Sequence, residues 1–212
     1  METGEGTGGD CWALVPLKMP GTGKRRLAPV LDAAGRAHLV RSLFAQVLGA
    51  LRSTPEIGHI AVVTPDPAFL PAGVLGLTDS AQDINETIAR AAQQISARGG
   101  RRLLVLPADL PCVEPAEISA LITASLPGGF AIAPDRRECG TNALCFTLPA
   151  NFRFQFGADS FAKHLAEAAA LGRKAAVVRQ PGLAFDVDEP EDLARLRRLT
   201  GNRFALECAT GT

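Results

Sequence analysis

The sequence carries no net charge, since 22 lysines and arginines balance 22 aspartates and glutamates. A broad basic field of the kind that drives non-specific nucleic-acid binding is therefore missing, although a local basic loop can still hold a small polyanion. No apolar run approaches the roughly 18 residues needed to span a bilayer, so no membrane association is expected. The opening METGEGTGGD is polar and acidic, without the basic-then-apolar order of a signal peptide. The five cysteines, at 11, 112, 139, 145 and 208, form no C-x-x-C pair. That argues against a disulfide framework or structural zinc and points to a reducing cytoplasm. With only three histidines, a His-rich metal site is not expected, and no Ser/His/Asp order supports a covalent mechanism. The 21 glycines and 15 prolines fall short of a low-complexity composition, which excludes disordered and fibrous classes.

What is present is a globular composition, 47% hydrophobic and 21% charged in 212 residues, long enough to bury a core unaided. One domain is expected over 11–200, between mobile tails at 1–10 and 201–212. Short apolar runs alternate with longer helical patterns, the signature of a mainly parallel sheet covered by helices. Strands are expected at Trp12–Leu17, His59–Thr64, Val74–Leu77, Arg102–Leu106, Phe130–Ala133, Ala143–Phe146, Ala175–Val178 and Leu183–Phe185. Helical patterns follow Asp32 to Leu51, with Asp32 as N-cap, and Asp83 to Arg98, opened by a D-x-x-E variant of the capping box. Others run from Pro115 to Ala124, from Asp159 or Ser160 to Leu171, and over Glu191–Leu199.

In open α/β sheets ligands bind beyond the carboxyl ends of the strands, so the polar residues just after strands matter most. The loop KMPGTGKRR places Lys18, Lys24, Arg25 and Arg26 among glycines, where cations and amides can converge on a phosphate chain. It lacks P-loop and G-x-G-x-x-G spacing, and a solvated basic turn is the plain alternative. Asp109 follows an apolar strand between Pro107 and Pro111, which suits a Mg²⁺ ligand as well as it suits an ordinary turn. Asp186-Val187-Asp188 places two carboxylates on one side of an extended chain, a candidate metal pair. Asp188 also reads as the N-cap of the last helix, so Asp186 is the favoured ligand. Gly157-Ala158-Asp159-Ser160 opens a helix with Lys163 on its first turn, either an anion site or a plain cap. His164 beside it reads as a surface residue. Carboxylates, basic loops and helix N-termini together handle phosphates and Mg²⁺ by positioning and electrostatics, without a protein nucleophile.

The order VPLK…KRRLAP, VVTPD, D-x-N before a helix, LPADLP, DRRECGTNAL, FGADSFAKH and FDVDEPEDL resembles the guanylyltransferases of deazaflavin coenzyme F-420 biosynthesis, over Trp12 to Leu199. The resemblance implies an α/β, Rossmann-like three-layer nucleotidyltransferase fold with a mostly parallel central sheet. It implies transfer of GMP from GTP to 2-phospho-L-lactate, phosphoenolpyruvate or 3-phospho-D-glycerate, with release of diphosphate. Carried over residue by residue, Lys18, Lys24 and Arg26 would hold the GTP phosphates and Asp109 and Asp186 would hold Mg²⁺. Thr141, Gly157 and Ser160 would contact the acceptor, and Asn85 would lie near the base. Asp188 is kept as a third candidate ligand. Two departures stand out: Arg25 replaces a threonine common in the first loop, and Ala108 replaces a frequent glycine. A monomer or homodimer, coupled to the next enzyme of the pathway, is expected. A nucleotide-sugar glycosyltransferase using Asp186-Val187-Asp188 as its D-x-D, or a non-catalytic nucleotide-binding module, are the rival readings.

Overall fold

The computed structural model describes residues 9–18, 23–78, 83–149 and 151–201; the expected tails fall almost wholly outside this set. Strand β1 (Cys11–Pro16) is followed by α1 (Ala33–Arg52), β2 (Ile57–Thr64), β3 (Leu75–Thr78) and α2 (Ile84–Ala97). Then come β4 (Arg102–Val105), α3 (Pro115–Ser125), β5 (Phe130–Pro134) and β6 (Thr141–Thr147). The chain continues through α4 (Ser160–Ala170), β7 (Ala176–Val177), the short α5 (Pro181–Ala184) and α6 (Pro190–Thr200). Among the described residues no helix is long and apolar enough to cross a membrane.

The strands form one sheet in the order β3-β2-β1-β4-β6-β5-β7. All pair in parallel except β6, which runs against both β4 and β5. Strands buried on both faces explain the continuous apolar runs. On one face, Ala13, Val15, Leu104 and Cys145 pack under α1 and α3 through Val40, Val47, Ile118 and Leu121. On the other, Leu14, Leu103, Val105 and Phe146 pack under α2 and α4 through Ile88, Ile95, Phe161 and Ala168. A third cluster joins Leu27 and Leu39 to Phe185, Val187 and Leu193, and so pins the Asp186–Asp188 segment to the domain.

Local chemistry sets the ends of these elements. Asp32 caps α1 by accepting from the Gly35 amide at 2.7 Å, and Asp83 caps α2 by accepting from the amides of Asn85 and Glu86. Two sequence expectations are corrected. Leu183–Phe185 is not a strand: Pro181 starts the helical turn α5, where a fixed φ suits the first helical position. Its Gly182 donates to Glu117 Oε1 at 2.8 Å, and a Cβ there would lie 2.3 Å from the Cys112 carbonyl oxygen, so only glycine fits. Asp188 is not the cap of α6. Glu189 is, with Pro190 next and the Asp192 carboxylate accepting from the Asp188 and Glu189 amides in a capping box. The cap stands one residue later than Asp188 because Pro190 takes the first helical position.

Strand β6 also breaks its own alternation. Ala143 pairs with Ala133, but Thr141 pairs with Pro134, so a β-bulge leaves Asn142 as an extra residue. Within the strand, Ala143 and Cys145 face the α1/α3 layer. Strict alternation would turn Thr141 to that same layer. The bulge reverses the phase: Thr141 meets α4 instead, while Asn142 donates to the Leu183 carbonyl at 3.0 Å on the opposite side.

Candidate active site

The carboxyl ends of β1, β2 and β4 meet the start of the reversed β6 at one edge of the sheet, around a cleft of about 840 Å³. That is the size of a nucleotide-scale pocket and the place where open α/β sheets take their ligands. Lys18, Lys24, Asp109, Thr141, Asp186 and Asp188 all line it. A side lobe of about 470 Å³ extends past Lys18 and Lys24 to Arg25 and Arg26.

Lys24 organises the acidic side of the cleft. Its backbone takes the left-handed conformation (φ 54°, ψ 40°), disfavoured for a residue with a Cβ. That turn aims the ammonium at two carboxylates distant in sequence, Asp109 Oδ2 at 2.6 Å and Asp188 Oδ1 at 2.7 Å. Burial works against its charge, but Asp109 and then Asp188 outweigh that, and the ammonium holds its proton more tightly than an ordinary lysine. Lys24 is thus the neutralising counter-ion of these two carboxylates, a pairing that the loop sequence alone does not reveal. Lys18 is exposed at the mouth, and Arg26 lies outside it within 3.6 Å of Glu189.

Asp186 and Asp188 reach the cleft together because Val187 between them is fully buried. The Val187 amide also donates to the Asp109 carbonyl at 3.3 Å, tying the two acidic segments together. Asp186 receives no lysine. Burial, then the neighbouring Asp109 and Asp188 charges, push its carboxyl up to about 6, against weaker pulls down from its own backbone amide and from Asn142 at 3.5 Å.

A divalent cation fits this donor set in part. All three groups are hard oxygen donors, and Asp109 Oδ1 is buried without a hydrogen-bond partner. Among the described residues no three His, Cys, Asp or Glu side chains are already gathered as a complete metal site. Mg²⁺ takes one or two carboxylates and completes its octahedron with water and substrate phosphate oxygens, so Asp109 and Asp186 are the residues that could hold one.

The far wall belongs to α4 and the segment before it. Ser160 Oγ accepts from the Thr141 amide at 2.9 Å, and His164 Nδ1 lies 3.0 Å from Thr141 Oγ1. The surface placement expected for His164 is not found: it is 0% exposed, and with Ser160, 2% exposed, it grips Thr141. Asp159 is the N-cap of α4 in a left-handed conformation, but its side chain makes no cap bond. Lys163 turns back to the Ala158 carbonyl at 2.7 Å. Gly157 is exposed beside the cleft, with a φ of 125° that glycine alone takes readily.

Asn85 is bonded across to the segment before α4. Its amide donates to the Phe156 carbonyl at 3.2 Å while its carbonyl accepts from the Phe156 amide at 2.6 Å. It braces the 154–157 segment against α2, and its neighbours Asp83, Ile84 and Thr87 line the cleft instead. The signal for His164 was available: Ser160 and His164 are four apart and share one helix face.

The architecture is one shared by solved nucleotidyltransferases. The same fold occurs in a protein of Desulfovibrio desulfuricans G20 assigned to the nucleotide-diphospho-sugar transferases (TM-score 0.76, 19% identity, 93% of this chain and 94% of that one). It occurs again in the 4-diphosphocytidyl-2C-methyl-D-erythritol synthase of Anaerococcus prevotii (TM-score 0.59, 12% identity, 90% of this chain and 96% of that one). Within that class the chain belongs to the family described as guanylyl transferase CofC like, matched over residues 11–203. It is 39% identical to the phosphoenolpyruvate guanylyltransferase of Rubrobacter xylanophilus over 91% of this chain and 96% of that protein. Identity to the phosphoenolpyruvate guanylyltransferase of Sphaerobacter thermophilus is 38%, over 87% and 91% of the two chains.

Proposed function

We propose that this enzyme transfers GMP from GTP to the phosphate of phosphoenolpyruvate and releases diphosphate, as a cytoplasmic step in coenzyme F-420 biosynthesis. The observation that carries this reading is the acidic cluster at the carboxyl edge of the sheet, two carboxylates bonded to one ammonium with a third, Asp186, beside them, in a chain so similar to named phosphoenolpyruvate guanylyltransferases.

An acceptor phosphate oxygen forms the new bond to the α-phosphorus of GTP as the bond to the bridging oxygen of the β-phosphate breaks; the electron pair leaves with diphosphate. Both reactants are polyanions, so repulsion is the first barrier. Lys18, Lys24 and Arg26 face it from the cleft and its side lobe, where they offset charge on the leaving group. Asp109 and Asp186, with Asp188 beside them, would hold Mg²⁺, which supplies Lewis-acid polarisation of the α-phosphate. Phosphomonoesters lose their second proton near pH 6, so the acceptor arrives ionised and no general base is needed. Thr141 lines the same cleft, where a hydroxyl and its neighbours can take the acceptor.

A diphosphate-release assay crossing GTP and ATP with phosphoenolpyruvate, 2-phospho-L-lactate and 3-phospho-D-glycerate, with and without Mg²⁺ and with the next enzyme of the pathway included, tests this. Release is expected with GTP and phosphoenolpyruvate and Mg²⁺. Release with another pairing, or with none, overturns the assignment of substrates.

A further inference from the structure

The wall of the cleft around Thr141 contains a buried histidine that the mechanism above does not use. Its ring is fully buried, flanked by Phe156 at 4.8 Å in an edge-on arrangement and by Phe152 at 5.6 Å. Nε2 receives the Gln155 amide at 2.9 Å. A backbone N–H can only donate, so Nε2 carries no proton, and in the neutral ring the proton must sit on Nδ1. Burial holds the ring's pKa down to about 4, so it is neutral throughout the physiological range.

Nδ1 lies 3.0 Å from Thr141 Oγ1. With its proton fixed there, the imidazole donates and the threonine oxygen accepts. A hydroxyl has a single proton, which then has no role toward the ring. Among the described residues no protein acceptor receives it, and Thr141 lines the cleft. The threonine is held at both ends from one helix: Ser160, one turn before His164, accepts from its amide at 2.9 Å. Rotation of the side chain would give up the imidazole bond, and translation would give up the serine bond.

We propose that His164 is a positioning residue: its single tautomer obliges the Thr141 hydroxyl to act as a donor into the cleft, directed at an oxyanion of the phospho-acid substrate. The inference rests on the reading that the Thr141 wall takes the acceptor, and it specifies how that wall selects an anion. A hydroxyl free to rotate presents lone pairs as readily as its proton; one whose oxygen is already engaged by Nδ1–H offers the proton. Carboxylate and phosphate oxygens, which only accept, are then favoured over the hydroxyl or amide of a neutral analogue.

Kinetics of His164→Gln, His164→Asn, Thr141→Val and the double variant Thr141→Val/His164→Gln test the proposal, with thermal melts to confirm folding. Gln places its amide near the Nε2 position and leaves Thr141 without a donor; Asn reaches the Nδ1 position and preserves one. His164→Gln is expected to raise the KM for phosphoenolpyruvate about tenfold, with the KM for GTP within twofold, and His164→Asn to restore most of the loss. In the Thr141→Val background His164→Gln should have no further effect on the acceptor, which a merely structural histidine would not show. If His164→Gln does not fold, the tautomer of the wild-type ring decides the matter. In the free protein, long-range ¹⁵N–¹H spectra should show the Nδ1–H tautomer from pH 6 to 8. An Nε2–H ring, equal effects on both substrates, or full additivity in the double variant overturns the proposal. A wild-type enzyme inactive with phosphoenolpyruvate overturns the acceptor assignment and this proposal with it, whereas an active enzyme with an unaltered His164→Gln overturns this proposal alone.

Discussion

Asp186 is the carboxylate left without a cation, and replacing it should stabilise the fold while disabling the enzyme. Lys24 bonds Asp109 and Asp188, and Asp186 must bear burial plus the repulsion of both. Its carboxyl is raised from 3.8 to about 6. At 1.36 kcal/mol per pKa unit, the ionised side chain disfavours folding by at most about 3 kcal/mol, and by about 1–3 kcal/mol once partial solvent access is allowed for. The sign follows from proton binding: between about pH 4 and 6 the folded protein holds a proton that the unfolded chain has lost, so stability falls as pH rises through that window. Asp186→Asn abolishes this penalty and keeps the side chain's size. Melts in EDTA should show the variant equal to wild type near pH 4. The gain should grow to a plateau above about pH 6.5, worth roughly 2–10 °C for a chain of this length. Diphosphate release should meanwhile fall by about 10² or more, the scale of a lost electrostatic contact in a transition state. A variant less stable than wild type at pH 8, or a gain that does not vary with pH, refutes the reasoning.

Asp109→Asn leaves Lys24 with Asp188 alone, so the melt should show a loss of about 1–3 kcal/mol, and turnover should fall by about 10² or more; activity near wild type at millimolar Mg²⁺ would remove Asp109 from the site. Lys24→Met leaves Asp109 and Asp188 facing each other without a counter-ion; urea denaturation should show a loss of about 2 kcal/mol, and titration calorimetry a weaker GTP. Asp192→Ala removes the capping box of α6 and should cost about 0.5–2 kcal/mol, whereas Asp188→Asn, which is not a cap, should be mild in the same denaturation assay. Gly182→Ala forces a Cβ against the Cys112 carbonyl and should cost about 1–3 kcal/mol in the same measurement.

Much of this arrangement was legible before any coordinates. Apolar runs at Trp12–Leu17, His59–Thr64 and Arg102–Leu106 marked parallel strands, and reading the residue after each strand led to Lys18 and Asp109. Alternation correctly paired Asp186 with Asp188, because the buried Val187 enforces it. The extension of β6 back to Thr141 and its bulge at Asn142 were not legible, because a bulge leaves no mark in a pattern of hydrophobicity. Competing caps explain the error at Asp188: both Asp188 and Glu189 precede Pro190, and only the proline's place in the first turn decides between them. His164 was misjudged because a polar residue on an amphipathic helix reads as exposed, and its burial is made by Phe152 and Phe156, from a segment without regular structure.

The inverted phase of β6 has a mechanical side. Thr141 and Asn142 are neighbours in one strand, yet one is bonded to α4 and the other to the chain around Leu183 and Asp186. A force applied at this pair is felt on both surfaces of the sheet at once. Occupancy of the wall should therefore slow amide hydrogen exchange in α4 and in 183–188 together, two segments that share no strand and lie in opposite layers. In a regular strand the same ligand would quiet only one of them; here the strand works as an axle passing through the sheet.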